Sequence, residues 1–301
     1  MKELDLSRLP IQPNILVTGD TSGLGRQTMK NLAALNPALI VFTGRSQARA
    51  DEILADVGRK YPGVQARFVQ MDLASLHDTQ RAFRHLKPQL DGRLDILVCN
   101  AGIMCAPPGL SPEGYEIQWA TNYLGHVLLV QLLIPLLTRT ASSYGDARVV
   151  NITSEGLIFA PADKGIAFDD LKTKQEYGLG ARWKRYGQSK VAQALYTSPL
   201  AQQNPALSII AVHPGVVDTD LVKTLGLADR LLVYAISTVM SPEDGCKNSL
   251  WGATAPRKSV ENGAYYSPIA EPGKQTRWTK NGDLAEKLWK WTEEVLQPYV
   301  A

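Results

Sequence analysis

The amino-acid sequence predicts an α/β fold in a single domain over residues 1–301, a doubly wound parallel sheet of seven strands with helices on both faces. Three observations lead there. Short β-branched and apolar runs alternate with helix-length segments through the first half of the chain, the pattern of strands buried under helices on either side. A glycine-rich turn, from Gly19 to Gly25, stands at the first junction of run and helix. No low-complexity linker and no internal repeat divides the chain, although its length alone would suit about two domains.

Residues 14–18, Asn-Ile-Leu-Val-Thr, are the first expected strand, and a helix at 23–35 follows directly behind the glycines. The next pairs are strand 39–43 with helix 46–60, strand 65–71 with helix 75–87, and strand 95–100 with helix 112–139. Ser75 supplies an N-cap, and Pro112 suits a first helical turn, where its missing N–H costs nothing. Strand 148–153 leads to helix 184–203, strand 207–212 to helix 242–253, and strand 264–267 to helix 283–297, opened by Asp283. Two segments break the alternation. Residues 155–183 carry Phe159, Phe168, Tyr177 and Trp183 in a connection longer than most, which predicts a functional flap. Residues 220–240 are largely apolar, and a core helix and a substrate lid fit them equally well.

A net charge of +3, spread over 32 basic and 29 acidic residues without long runs, points to neither nucleic acid nor an anionic membrane surface. Cys99, Cys105 and Cys246 are an odd set at unrelated spacings, and the N-terminus shows no basic segment followed by an apolar stretch, so a reducing, cytoplasmic setting is expected. The apolar stretches 127–137 and 231–240 fall short of the roughly 20 residues that cross a bilayer, so no membrane span is expected. His77, His85, His126 and His213 lack metal-ligand spacing, and no metal is expected. The implied partner is a small molecule.

The turn reads Thr18-Gly19-Asp20-Thr21-Ser22-Gly23-Leu24-Gly25. Glycines there permit a tight bend, close approach of backbone to a pyrophosphate and close packing of helix on strand, while the helix N-terminus presents N–H groups to the anion. The placement predicts a Rossmann-like dinucleotide site. Such a site carries an acidic side chain for the adenosine ribose about 20 residues beyond the glycines. Here the neighbourhood is Phe42-Thr43-Gly44-Arg45-Ser46, with no carboxylate before Asp51. The Arg45 guanidinium, with Ser46 beside it, can grip a 2′-phosphate, so NADP(H) is expected in preference to NAD(H), the second option.

Tyr186 is the one tyrosine of 11 followed four residues later by a lysine, Lys190. On a helix the two share a face, where an ammonium eases loss of the phenol's proton. Around this pair the chain resembles the short-chain dehydrogenase/reductase family over essentially its whole length. The resemblance rests on the glycine turn, on Met71-Asp72-Leu73, and on Asn100-Ala101-Gly102 at the end of the fourth strand. It continues through Thr121-Asn122-Tyr123-Leu124-Gly125, Val149 to Ser154, Tyr186-Gly187-Gln188-Ser189-Lys190, and His213-Pro214-Gly215-Val216-Val217-Asp218-Thr219. Phe168-Asp169-Asp170-Leu171 and Gly263-Ala264-Tyr265-Tyr266 are most similar to the retinol-dehydrogenase-like branch and its fungal relatives.

The resemblance implies Tyr186 as general acid or base, Ser154 as the group holding the substrate oxygen, and Lys190 as the partner of the nicotinamide ribose that favours the tyrosinate. Asn122 would anchor a water leading from Lys190 to solvent. It also implies that Thr18, Gly19, Thr21, Ser22, Gly23, Leu24 and Gly25 line the pyrophosphate. Asp72, Leu73, Asn100, Ala101 and Gly102 would flank the adenosine half, and Pro214, Gly215, Val217 and Thr219 the nicotinamide. Asp20 departs from the family's small neutral residue and would repel a pyrophosphate unless turned away. The expected activity is NADP(H)-dependent interconversion of a carbonyl and an alcohol on an apolar, medium-sized substrate. A net non-redox isomerase or dehydratase and a catalytically silent dinucleotide-binding scaffold are the alternatives. Pairing of subunits through helices 112–139 and 184–203 would give a homo-oligomer.

Overall fold

The computed structural model describes residues 12–19, 23–223, 225–236 and 238–300. Its elements, in chain order, are β1 (Asn14–Thr18), α1 (Gly23–Ala33), β2 (Leu39–Gly44), α2 (Gln47–Lys60), β3 (Gln65–Gln70), α3 (Leu76–Gln89), β4 (Ile96–Cys99), α4 (Ile117–Tyr144) and β5 (Arg148–Ile152). There follow α5 (Ala181–Gln203), β6 (Ser208–Val212), β7 (Val216–Val217), α6 (Leu227–Ile236), β8 (Val239–Met240), α7 (Pro242–Thr254), β9 (Tyr265–Ser267), β10 (Glu271–Pro272) and α8 (Gly282–Val300).

The main sheet has the order β10-β9-β6-β5-β4-β1-β2-β3, with β7 and β8 pairing apart from it. The seven expected strands are all present and parallel. The expected count is corrected to eight by β10, a two-residue strand that runs antiparallel to β9 at the edge. Every residue of β1, β5 and β6 is buried, because helices cover both faces and leave no solvent side for polar alternation. One core layer joins the sheet to α3, α4, α5 and α8, and the other joins it to α1, α2 and α7.

The helix expected at 112–139 starts five residues later. Gly114 adopts φ 82°, closing a turn after Pro112 that pairs Leu110 with Glu116, and only then does the Glu116 carboxylate cap the helix by accepting from Trp119 N at 2.8 Å. Beyond Trp119 the helix widens into a π turn, Ala120–Leu124, and then runs through Pro135 to Tyr144. It is 28 residues long, so the apolar stretch that looked too short to cross a membrane belongs to a helix of sufficient length; 72 % of its most apolar window is buried in the fold, as a core helix.

The segment 155–183 is folded down on α5. Leu157, Ile166, Ala167 and Leu171 are buried. Arg185, itself buried, donates to Gln175 O at 3.1 Å and to Ala106 O at 2.9 Å and lies 3.2 Å from Glu116 Oε1, which ties the segment, the loop after β4 and the start of α4 together. Among the described side chains of α6, none enters either main core. Val233, with Val222 and Leu225, packs against Met104, Cys105, Trp183 and Val216 in a third, small cluster, while Leu227, Leu231 and Tyr234 stay exposed.

Candidate active site

The C-terminal ends of β1, β4, β5 and β6 converge beside the point where strand order reverses between β1 and β4, the crevice where open α/β sheets bind ligands. The convergence is visible at the glycines. A side chain at Gly19, which holds φ 78°, would sit 2.5 Å from Ala101 Cα, so the turn after β1 lies directly on the loop after β4. A Cβ at Gly23 would meet Thr219 Cβ at 3.2 Å, bringing the start of α1 to the loop after β6. One at Gly102 would fall 3.3 Å from Asn122 Oδ1 and 3.9 Å from Lys190 Nζ. At these glycines the neighbouring loops leave little room for a side chain, the close packing of turn, helix and strand that a dinucleotide-binding site uses. Asp20, Thr21 and Ser22 lie outside the described residues.

The joint between β1 and β4 is built from Thr18. Its hydroxyl accepts from Asn100 N and Ala101 N, both at 3.0 Å, and Asn100 Nδ2 donates to Thr18 O at 2.9 Å. With both lone pairs taken, the hydroxyl proton points to His126 Nε2, 2.9 Å away. His126 therefore carries its proton on Nδ1, which donates to Asn122 O at 3.0 Å. The hydroxyl of Thr18, a residue expected at the cofactor, is committed to locking the turn from within, and His126, absent from the expected site, links that lock to the π turn. Its one sequence signal is its place four residues after Asn122, on the same helical face.

Asn122 is fully buried, and each polar atom of its amide is hydrogen-bonded: Oδ1 accepts from Ile103 N at 2.8 Å, and Nδ2 donates to Ile103 O at 2.9 Å and Ser189 Oγ at 3.0 Å. Ser154 caps the short helix Glu155–Phe159 by accepting from Gly156 N at 3.0 Å and lies near the Tyr186 phenol, both bordering Gly156. The phenol ring lies so close to Gly156 that an added Cβ would meet it at 2.6 Å. Burial pushes the Tyr186 phenol up to about 12, against the lowering effect of Ser154.

Lys190 is buried, with Nζ 5.7 Å from the Tyr186 ring centroid, and donates to Ile152 O at 3.0 Å and Gln193 Oε1 at 2.7 Å. Burial brings it down to about 7. The expectation that Lys190 lowers the phenol is thus not met by the protein's own groups, because desolvation disfavours both charged forms at once. Gln193, three residues after Lys190, is a second site residue the expectation missed.

Arg45 is exposed just past β2, and its guanidinium forms no ion pair among the described residues. Ser46 caps α2 by accepting from Arg49 N. Asp72 accepts from Ala74 N at 3.0 Å in a turn leading to α3, and Leu73 is buried with its backbone carbonyl against Gly125. Pro214, Val217 and Thr219 are buried, and Gly215 lies against Met240.

Burial pushes both His126 and His213 down to about 4. The unfolded chain, with imidazoles near 6.5, then binds more protons than the folded one between about pH 6.5 and 4, so stability falls on acidification through that window. Thermal midpoints measured across it should decline as pH drops, and less steeply for His126→Asn; a flat profile would contradict the neutral imidazoles.

Comparison with known proteins agrees with this fold. Residues 13–161 match the family model described as short chain dehydrogenase. The chain is 35 % identical over 298 residues to the short-chain dehydrogenase/reductase drtF of Aspergillus calidoustus, covering 94 % of this chain and 93 % of that one. It is 32 % identical over 303 residues to human retinol dehydrogenase 14, covering 94 % and 85 % respectively. A crystal structure of an uncharacterized protein from Mycobacterium paratuberculosis superimposes with a TM-score of 0.72 at 25 % identity, over 97 % of each chain.

Proposed function

The chain belongs to the short-chain dehydrogenase/reductase family, and on that premise we propose that it is an NADP(H)-dependent oxidoreductase interconverting a carbonyl and an alcohol on an apolar, medium-sized substrate. The observation that carries the proposal is the buried Tyr186 phenol, beside Ser154 at Gly156 and with Lys190 on the same helix face. A dinucleotide along the turn after β1 would be held by Gly19, Gly23, Ala101 and Gly102, and when bound supplies the hydride.

With its phenol at about 12, Tyr186 is protonated at neutral pH and suited to donate to a substrate oxygen. Ser154 Oγ accepts from Gly156 N, which orients the hydroxyl beside that oxygen. Lys190, near neutrality and fixed by Ile152 O and Gln193, can both give and take a proton, so it can restore the phenol after turnover. Apolar walls come from Met104, Cys105, Phe159, Trp183 and Val216. The retinol dehydrogenase named among the relatives supports an apolar substrate.

Cofactor preference rests on Arg45. Across a panel of aldehydes, ketones and quinones the wild type should oxidise NADPH faster than NADH, and Arg45→Ala should weaken NADPH about tenfold or more while leaving NADH within about twofold. Equal loss of both dinucleotides would remove the phosphate argument. Normal NADPH binding with no oxidation on any carbonyl would favour a net non-redox reaction.

A further inference from the structure

We propose that Trp183, held in place by Asp229 of the helix above it, sets the substrate class of this site as flat, conjugated or aromatic carbonyl compounds; this rests on the proposed carbonyl chemistry of Tyr186. Trp183 is one helical turn before Tyr186 on α5, and the two rings meet edge to face with centroids 6.5 Å apart at 79°. On its other side Trp183 lies 5.0 Å from Phe159, which belongs to the short helix opened by Ser154. The indole is half-buried, and one aromatic surface runs from the proton donor to the short helix that Ser154 caps.

The pose of this indole is fixed from α6. Trp183 Nε1 donates to Asp229 Oδ1 at 3.0 Å, and Arg182 forms an ion pair with Asp229 Oδ2. Asp229 is 8 % exposed, on a helix that otherwise shows Leu227, Leu231 and Tyr234 to solvent. Its burial is explained by these two partners and by nothing in the core, since α6 buries only Val233 besides it among the described side chains of the helix. A carboxylate between an indole N–H and a guanidinium removes the indole's freedom to rotate about its side-chain bonds, and a pre-set aromatic wall favours a flat face over a puckered one. Met104, Cys105 and Val216, which pack with Trp183 against the same small cluster, are uncharged, and the charges of Arg182 and Asp229 are paired with each other.

The test uses a pair with one carbon skeleton, 2-naphthaldehyde and decahydro-2-naphthaldehyde, with NADPH. Wild type should favour the flat aldehyde by about tenfold in kcat/KM, carried mainly by KM. Trp183→Leu should reduce the preference to about twofold or less, and Trp183→Phe should keep part of it. Asp229→Asn, which retains the acceptor for the indole, should keep the preference, and Asp229→Leu should lose it while still turning over the saturated aldehyde. Calorimetric binding of the two corresponding alcohols gives the same comparison without turnover. A binding preference that persists where no variant, wild type included, turns over either aldehyde would count against the role of Tyr186 and support the wall. No preference in wild type, or an unchanged preference in Trp183→Leu, would overturn the assignment.

Discussion

Tyr186→Phe is expected to lower kcat by about 10²- to 10⁴-fold, the usual contribution of a positioned acid or base, with NADPH affinity within about twofold of wild type. The substitution removes one oxygen and keeps the ring, whose contacts with Gly156 and Trp183 shape the cleft. The phenol is buried and its pKa is raised to about 12, so its loss removes a donor that Lys190, 5.7 Å from the ring centroid and bonded elsewhere, does not replace at the same point. Single-turnover kinetics with a bound carbonyl would show it. Full turnover by a variant that binds NADPH normally would assign the proton to another group.

Gly187→Ala should cost both stability and activity. Its Cβ would lie 2.7 Å from the carbonyl carbon of Phe159 and closer still to Ala160 N, and both are backbone atoms that cannot rotate aside. Overpacking of this kind costs about 1–3 kcal/mol, which lowers the thermal midpoint by several degrees in a chain of this size. Because the two surfaces forced apart carry Tyr186 and Ser154, kcat/KM should fall more than the lost stability would explain. The control is Gly58→Ala on α2, where nothing lies within 4 Å of the new methyl and helix propensity improves. Equal melting of the two variants would mean that the seam between α5 and the short helix at 155–159 gives way easily.

The parallel strands were legible because burial on both faces leaves an unbroken apolar run, as in Val149 and Val150 of β5, and the glycine turn because backbone approach demands glycine at fixed spacing. The start of α4 was not. Pro112 gives a valid local signal for a helix, and the bridge between Leu110 and Glu116 overrides it. Thr18 looked like a turn residue because its partners Asn100 and His126 are 82 and 108 positions away. The burial of Lys190 was hidden for a related reason: sequence spacing reports that it shares a face with Tyr186, but only the closed fold reports that both are buried.

The π turn at Ala120–Leu124 puts the two parts of α4 out of phase. A wider turn shifts the azimuth of everything after it by a large fraction of the 100° that separates neighbouring residues on an α-helix. The stripe from Gly125 onward is thereby free to face the sheet, while Gln118 and Asn122 answer to α5. One rod therefore meets two partners whose directions a regular helix could not both satisfy, and no single helical wheel drawn for residues 117–144 would display either surface correctly.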